Sequence, residues 1–283
     1  MVVGRCLALA VVVAASSPLV ASAQTSPEAP TGIEWVTGPA VADLGTIAQI
    51  KVPDQFRFAG ADGTKRFLEL TQNIPGNELG VIMPPDGDWF IIFDFDPIGY
   101  VKDDEKNSID ADALLATIRK GTERSNEERK RRGWPTMTIV GWQSQPHFDD
   151  TTKNLTWGIR GKGDNEEVVN HSVRLLGRGG VMQAELVLSP GDLVAAMPQL
   201  QALLTGFSFK PGQRYAEFRA GDKVAAYGLT ALVAGGVGAA AMKSGLLAKM
   251  WKAIVLGFIA AVGAVRRFFS KMSGKSDTAT AGA

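Results

Sequence analysis

Apolar and polar residues alternate along this chain with two different periods, and the changes of period mark its elements. Period-two runs bounded by Gly, Pro and Asp predict strands over 41–44, 48–52, 56–59, 79–83 and 89–95. The last two are joined by Pro84-Pro85-Asp86-Gly87-Asp88, a turn sequence that predicts a hairpin. Between the runs at 56–59 and 79–83, Phe67, Leu68 and Leu70 recur at helical spacing, which predicts a short helix over 62–72. A second helix starts at Asp110, a good N-cap, with Asp112 placed against the positive end of the helix dipole. Leu114, Leu115, Ile118, Thr122, Ser125 and Arg129 trace one face of it, apolar at first and polar later, so burial is expected mainly in its first half. Gly133 and Pro135 end it.

From there the period returns to two. Strands are predicted over 136–143, 155–161, 168–176 and 181–188, separated by Asp149-Asp150, Gly163-Asp164-Asn165 and Gly177-Arg178-Gly179-Gly180. Connections this short allow only an antiparallel meander, because a parallel return needs a crossover of about a dozen residues. Leu155, Trp157 and Ile159 alternate with polar neighbours and give the meander a buried face. A helix over 191–205, carrying Leu193, Val194, Met197, Leu200, Leu203 and Leu204, is expected to cover that face, and 207–209 adds a last strand. The fold class is therefore α+β: a mainly antiparallel sheet packed with helices.

Both ends depart from this pattern. Residues 224–242 run without a charge, and 253–265 do so again. A helix needs about 20 apolar residues to cross the hydrocarbon core of a bilayer, so this region is expected to carry one or two transmembrane helical segments. Three arrangements fit: a single span over 224–242 with 253–265 lying along the surface, a hairpin of two spans, or a single span over 246–265 with Lys249 and Lys252 snorkelling. The positive-inside bias favours the single spans, which keep the basic tail in the cytoplasm. Tyr227, Gly235, Trp251, Arg266 and Arg267 are the residues assigned to the anchor, Gly235 as part of a small-residue stripe with Ala231 and Ala239. Tyr215 and Phe218 in the preceding connector suit either headgroup level or packing on the domain.

At the other end Arg5, an apolar stretch over 7–13 and Ala21-Ser22-Ala23 make a secretory signal. The expected organisation is a signal peptide (1–23), a linker (24–37), an extracytoplasmic domain (38–211), a juxtamembrane connector (212–222), a membrane anchor (223–270) and a polar tail (271–283). The only cysteine, Cys6, falls in the signal, so the mature chain is expected to have no thiol chemistry. A formal net charge of +1 gives no field directed at nucleic acid.

The side chains that do chemistry are sparse. His147 and His171 fall on separate hairpins without metal-ligand spacing, and no cofactor motif is present. Both are expected as polar residues of edge strands. Asp86, Asp88, Asp94, Asp96, Asp103, Asp104 and Glu105 form an acidic series without the order of a calcium loop, and read as turn carboxylates. The basic stretch within 119–132 suits a solvated helix end, or an acidic partner or lipid headgroup.

Several motifs carry a resemblance. Gly38-Pro39, Asp43-Leu44-Gly45, Asp88-Trp89-Phe90, the run Gly99-Tyr100-Val101-Lys102-Asp103-Asp104, Gly121-Thr122 with Asn126 and Arg129, Gly141-Trp142, Leu176-Gly177-Arg178 and Lys223-Val224-Ala225-Ala226-Tyr227-Gly228-Leu229 resemble domain-of-unknown-function family 2167, membrane-anchored bacterial proteins. The resemblance spans nearly the whole mature chain and brings no catalytic residue with it. Residues 190–209 are also similar to the end of a PsbP/Mog1 type sandwich, a fold used mainly for binding and assembly. The resemblance implies membrane anchoring in bacteria; with the signal peptide and the charge bias, the expected place is the cytoplasmic membrane with the domain facing the periplasm or cell exterior. Its expected role is to bind or scaffold an envelope protein or a second copy of itself; the alternative is an envelope hydrolase using His147 or His171 with Asp94, Asp96, Asp103 or Asp104. Tyr100, Lys102, Asp103, Asp104, Arg129 and Arg178 are the candidate interaction residues, and the bilayer is the expected lipid partner.

Overall fold

The computed structural model describes residues 32–71, 73, 75–163 and 166–234. The strands among them are β1 (Val36–Thr37), β2 (Ala40–Leu44), β3 (Ala48–Val52), β4 (Arg57–Gly60), β5 (Glu78–Met83), β6 (Trp89–Asp96), β7 (Thr138–Asp149), β8 (Asn154–Lys162), β9 (Glu167–Leu176), β10 (Val181–Leu188) and β11 (Phe207–Phe209). The helices are α1 (Ala61–Leu70), α2 (Ala111–Arg131), α3 (Leu193–Thr205) and α4 (Leu229–Val233). Eight strands make one antiparallel sheet in the order β1-β4-β5-β6-β10-β9-β8-β7, and β11-β3-β2 make a second, three-stranded one. The expected hairpin of β5 with β6 and the meander from β7 to β10 are both present. The strand expected over 136–143 runs on to Asp149, because three register shifts against β8 let it bend past Pro146 without ending.

Strand alternation sorts the large sheet into two faces. Trp89, Ile91 and Phe93 of β6, Val169, Val173 and Leu175 of β9, and Met182, Ala184, Leu186 and Leu188 of β10 point to one side. There they meet Leu44, Ala48, Ile50 and Val52 of the small sheet and Ala196, Leu200 and Leu203 of α3 in one continuous apolar cluster. The other side carries α1, α2 and α4. Helix α3 therefore does not cover Leu155, Trp157 and Ile159 as expected; those residues face α2 and α4 instead. The alternation identified a buried face but not which helix lay over it.

Helix α2 begins as expected, with the Asp110 carboxylate accepting from the Ala113 amide at 3.0 Å. Its burial does not stop halfway. Gly121, Thr122, Ser125 and Arg129 are buried along with Leu114. Asn126 explains the tight seating: its side-chain carbonyl accepts from the Met137 amide at 2.8 Å and its amide donates to the Met137 carbonyl at 2.7 Å, closing the start of β7. The basic end of the helix is spent on its own acids, Lys130 on Glu127 and both Arg131 and Arg132 on Glu128.

The C-terminal part of the described chain packs on the domain where the membrane anchor was expected to begin. Residues 215–228 do not leave the domain. Tyr215 stacks on Tyr100 with ring centroids 4.4 Å apart, and Phe218 packs on the same ring at 4.2 Å. Val224 bridges Tyr100, and α4 buries Leu229, Leu232, Val233 and Ala234 with Val101, Leu114 and Trp157. Val224 makes an isolated bridge, residues 226–227 bend, and α4 adds one turn of helix against the domain core. Among the described residues no helix is long and apolar enough to cross a membrane. The signal peptide, Gly235, Trp251, Arg266 and Arg267, and the apolar runs beyond Ala234, lie outside the described residues.

Candidate functional site

The face of the large sheet that carries α1, α2 and α4 is split, whereas the opposite face is continuous. One apolar cluster lies under α1 and includes Phe67, Val81, Phe90, Val168 and Val187. Another lies under α2 and α4 and includes Trp157, Leu176 and Val181. Between them, on the same face of the three central strands, run Asp94 and Asp96 of β6, Gln183 and Glu185 of β10, and Asn170, Ser172 and Arg174 of β9. The register aligns them across the sheet. Glu78 of β5 lies opposite Asp94, Asp94 opposite Gln183, and Gln183 opposite Arg174, while Glu185 lies opposite Ser172 in the next row.

The centre of this polar seam is fully engaged. Arg174 donates from Nη1 to Glu185 Oε1 at 2.5 Å, Ser172 Oγ donates to Glu185 Oε2 at 2.6 Å, and the Arg174 guanidinium lies over the Trp157 ring at 4.7 Å. Asp94 Oδ1 and Asn170 Oδ1 are both buried acceptors with no hydrogen-bond partner. Burial, with Glu78 and Asp96 adding like charge, pushes the Asp94 carboxyl up to about 6, against the Phe95 amide and Arg174. Burial likewise raises Asp96, offset in part by the Tyr227 hydroxyl, Arg174 and Lys223. The seam is reachable from outside, since the Glu185 side chain is 21 % exposed.

Asp94 and Asp96 thus belong to a strand and not to a turn. His171 is not an edge residue either: it sits on β9 in the sheet interior and is buried. It shares the face of Val169 and Val173, with the sheet between it and Asp94. Burial lowers its imidazole, against a pull from Glu185. His147 is exposed on β7, at the sheet edge. The sheet therefore keeps the histidines from the carboxylates of β6. No group of three or more His, Cys, Asp and Glu able to hold a metal occurs among the described residues.

A second arrangement joins two sequence motifs. The Tyr100 amide donates to the Lys223 carbonyl at 2.8 Å and the Ala225 amide to the Tyr100 carbonyl at 2.9 Å. Tyr215 donates its hydroxyl to the Val101 carbonyl at 3.0 Å. Arg178 grips the Asp222 carboxylate with Nε and Nη2, both at 2.7 Å, which holds that carboxyl down at about 2. Tyr227, assigned to the bilayer by its sequence position, instead turns its hydroxyl to Asp96 at 3.4 Å and so connects this clasp to the seam.

Of the candidate interaction residues, Tyr100 and Arg178 are the clasp itself. Asp103 pairs with Lys153 at 2.9 Å, and Lys153 also reaches Asp150. Lys102 and Asp104 are exposed beside them. Arg129 is 1 % exposed and inaccessible to a partner; its Nε donates to the Pro135 carbonyl at the end of α2. Arg174, Glu185, Ser172, Gln183 and Asn170 are the residues that sequence reasoning missed. Their alternation with Val and Leu along β9 and β10 reads as a solvent face, and only the helices laid over it make it an interior one.

The chain is similar to the solution structure of cyanobacterial PsbP from Synechocystis sp. PCC 6803, with 8% identity and a TM-score of 0.36 over 63% of this chain and 92% of that one. It is also similar to the crystal structure of PA94, a protein of unknown function from Pseudomonas aeruginosa, with 11% identity and a TM-score of 0.26 over 61% and 97% of the two chains. No curated protein matches the sequence. The clasp and the seam both fall within residues 37–266, the span matched by the model of the family described as protein of unknown function DUF2167, and the chain belongs to that family.

Proposed function

We propose that this chain is a membrane-tethered extracytoplasmic binding module of the bacterial envelope, with the polar seam as its recognition surface. The observation that carries the reading is the split face. A continuous apolar floor under α1 and α2 would be more stable than one crossed by Asp94, Arg174 and Glu185, because charges taken out of water are repaid only by excellent pairing. Asp94 Oδ1 lacks even that. Stability given up at a site with perturbed carboxyls is the physical mark of a surface kept for recognition.

The tether follows from sequence. With 224–234 held by the domain, the arrangement that remains economical is one span over 246–265, twenty residues interrupted only by Lys249 and Lys252. It places Arg266 and Arg267 inside, as the charge bias requires. The signal sequence puts the domain on the opposite side.

Complementation of a deletion strain tests the recognition surface. Full-length Asp94→Asn and Glu185→Gln chains, folded and present at wild-type level, are expected to lose the wild-type phenotype. Full complementation by both overturns the seam as the functional surface. A topology reporter fused after Ala283 is expected to be active only in the cytoplasm, and periplasmic activity there excludes the single span.

A further inference from the structure

The seam has a charge and a hydrogen-bonding deficit that together describe what fits it. Glu78, Asp94, Asp96 and Glu185 supply four carboxyls, against the Arg174 guanidinium already held by Glu185 and the Lys223 ammonium acting on Asp96. Asn170 is 2 % exposed, and its Oδ1 is an acceptor with no donor. Asp94 Oδ1, at the other end of the seam, is in the same condition. Unpartnered buried acceptors call for a ligand that donates N–H or O–H bonds, and excess carboxylate calls for positive charge. Asp94 and Asn170 are two strands and four residues apart, on the order of 16 Å between Cα atoms by sheet geometry. Phe90 and Val187 on one flank and Val181 and Leu176 on the other give apolar walls to whatever lies along that line.

The geometry points to a primary ammonium group on an extended alkyl chain as the ligand of the seam, with the ammonium at Asp94 and Glu78 and further donors reaching Asn170. This rests on the reading of the chain as a binding module. A free linear polyamine and a lysine side chain presented by a protein share that chemistry. Asp94 supplies the charge, while Glu185 and Arg174 fix the floor.

Calorimetric titration of the full-length chain in detergent at pH 7.5 tests it, with spermidine, 1,4-diaminobutane, N-acetyl-lysine amide and neutral 1,4-butanediol as probes. The amines are expected to bind at least about tenfold more tightly than the diol, and Asp94→Asn to lose about tenfold for every amine. Spermidine ahead of the lysine amide identifies a free polyamine, and the reverse order a protein-borne lysine. Asn170→Leu, which leaves Asp94 intact, is expected to weaken spermidine about fivefold and 1,4-diaminobutane little, since only the longer amine reaches both ends. The proposal is overturned by equal binding of the diol, by unchanged amine binding in both variants, or by no binding of any probe at about 10 mM. In that event, seam variants that still fail to complement leave the recognition surface standing and remove only the ligand class; full complementation removes both.

Discussion

Tyr100 holds Lys223 by a main-chain hydrogen bond of 2.8 Å across 123 residues of sequence, the difference of the two residue numbers. Two stretches that were legible as motifs are thereby one structural unit, and the approach depends on the glycine before Tyr100. Gly99 has φ of +103°, and a Cβ there would lie 2.6 Å from the Lys223 carbonyl oxygen. Gly99→Ala is expected to cost about 2–4 kcal/mol through strain and undocking of 215–228. Gly179→Ala, whose Cβ would have no neighbour nearer than 3.7 Å, is expected to cost under about 1 kcal/mol. Urea unfolding of the full-length chain in detergent checks both, and equal costs would remove the clasp from the account.

Arg178 and Asp222 make the ionic half of the clasp. Asp222 has its carboxyl lowered to about 2 by the guanidinium, so the pair's stabilisation is present above the ordinary carboxylate range and is lost as pH falls through about 2. Protease cleavage between 212 and 228 should therefore stay slow at pH 4 in the wild-type chain. In Asp222→Asn it should be several-fold faster at pH 4 and above, where the wild-type carboxylate is charged. Cleavage of the variant at the wild-type rate would mean that the aromatic stack on Tyr100 holds the segment alone.

Asp94 predicts the opposite sign. Its folded carboxyl titrates at about 6 and an unfolded one near 4, so the native state binds the proton more tightly. Stability gained by protonation accrues as pH falls from about 6 to about 4 and is absent above that window. Asp94→Asn should raise the unfolding free energy at pH 7.5 by roughly 2–3 kcal/mol, and by little at pH 4. A variant less stable than wild type at pH 7.5 would show that Asp94 is compensated by a group it does not touch in this structure.

Arg174 is 2 % exposed, and its removal leaves the half-buried Glu185 without its cation. Arg174→Met should destabilise by about 3–5 kcal/mol, and the double variant Arg174→Met with Glu185→Leu should recover most of the loss. Thermal melts decide between recovery and additive loss. Recovery would fit an ion pair retained for something other than stability, whereas additivity would make it a structural fastener.

The elements of this fold were legible because its strands are short, strongly alternating and punctuated. The cap at Asp110 and the bounds of β10 follow from local chemistry alone. What sequence did not reveal depends on layers. Asn170, Ser172 and Arg174 alternate with Val169, Val173 and Leu175, and a period of two cannot distinguish polar residues facing water from polar residues under a helix. His171 was assigned to an edge because local sequence does not give the strand order, which places β9 between β10 and β8. Tyr227 and Leu229 were assigned to a membrane because an uncharged run suits a bilayer and a protein core equally, and length alone does not separate them. Arg129 was read as an exposed basic residue because nothing local indicates that α2 is seated down to its last turn.

The docking of residues 215–234 also decides how the molecule would carry a load. Tension applied beyond Ala234 would reach α4 first, then the Glu105 carboxylate that accepts from the Thr230 amide, then the pairing of Val224 with Tyr100. That pairing is a single bridge closed by two main-chain hydrogen bonds, Tyr100 to Lys223 and Ala225 to Tyr100, with the rings of Tyr215 and Phe218 stacked on Tyr100 beside it. The large sheet would be strained only after the clasp had failed, which makes the clasp the part of the chain that yields first under force.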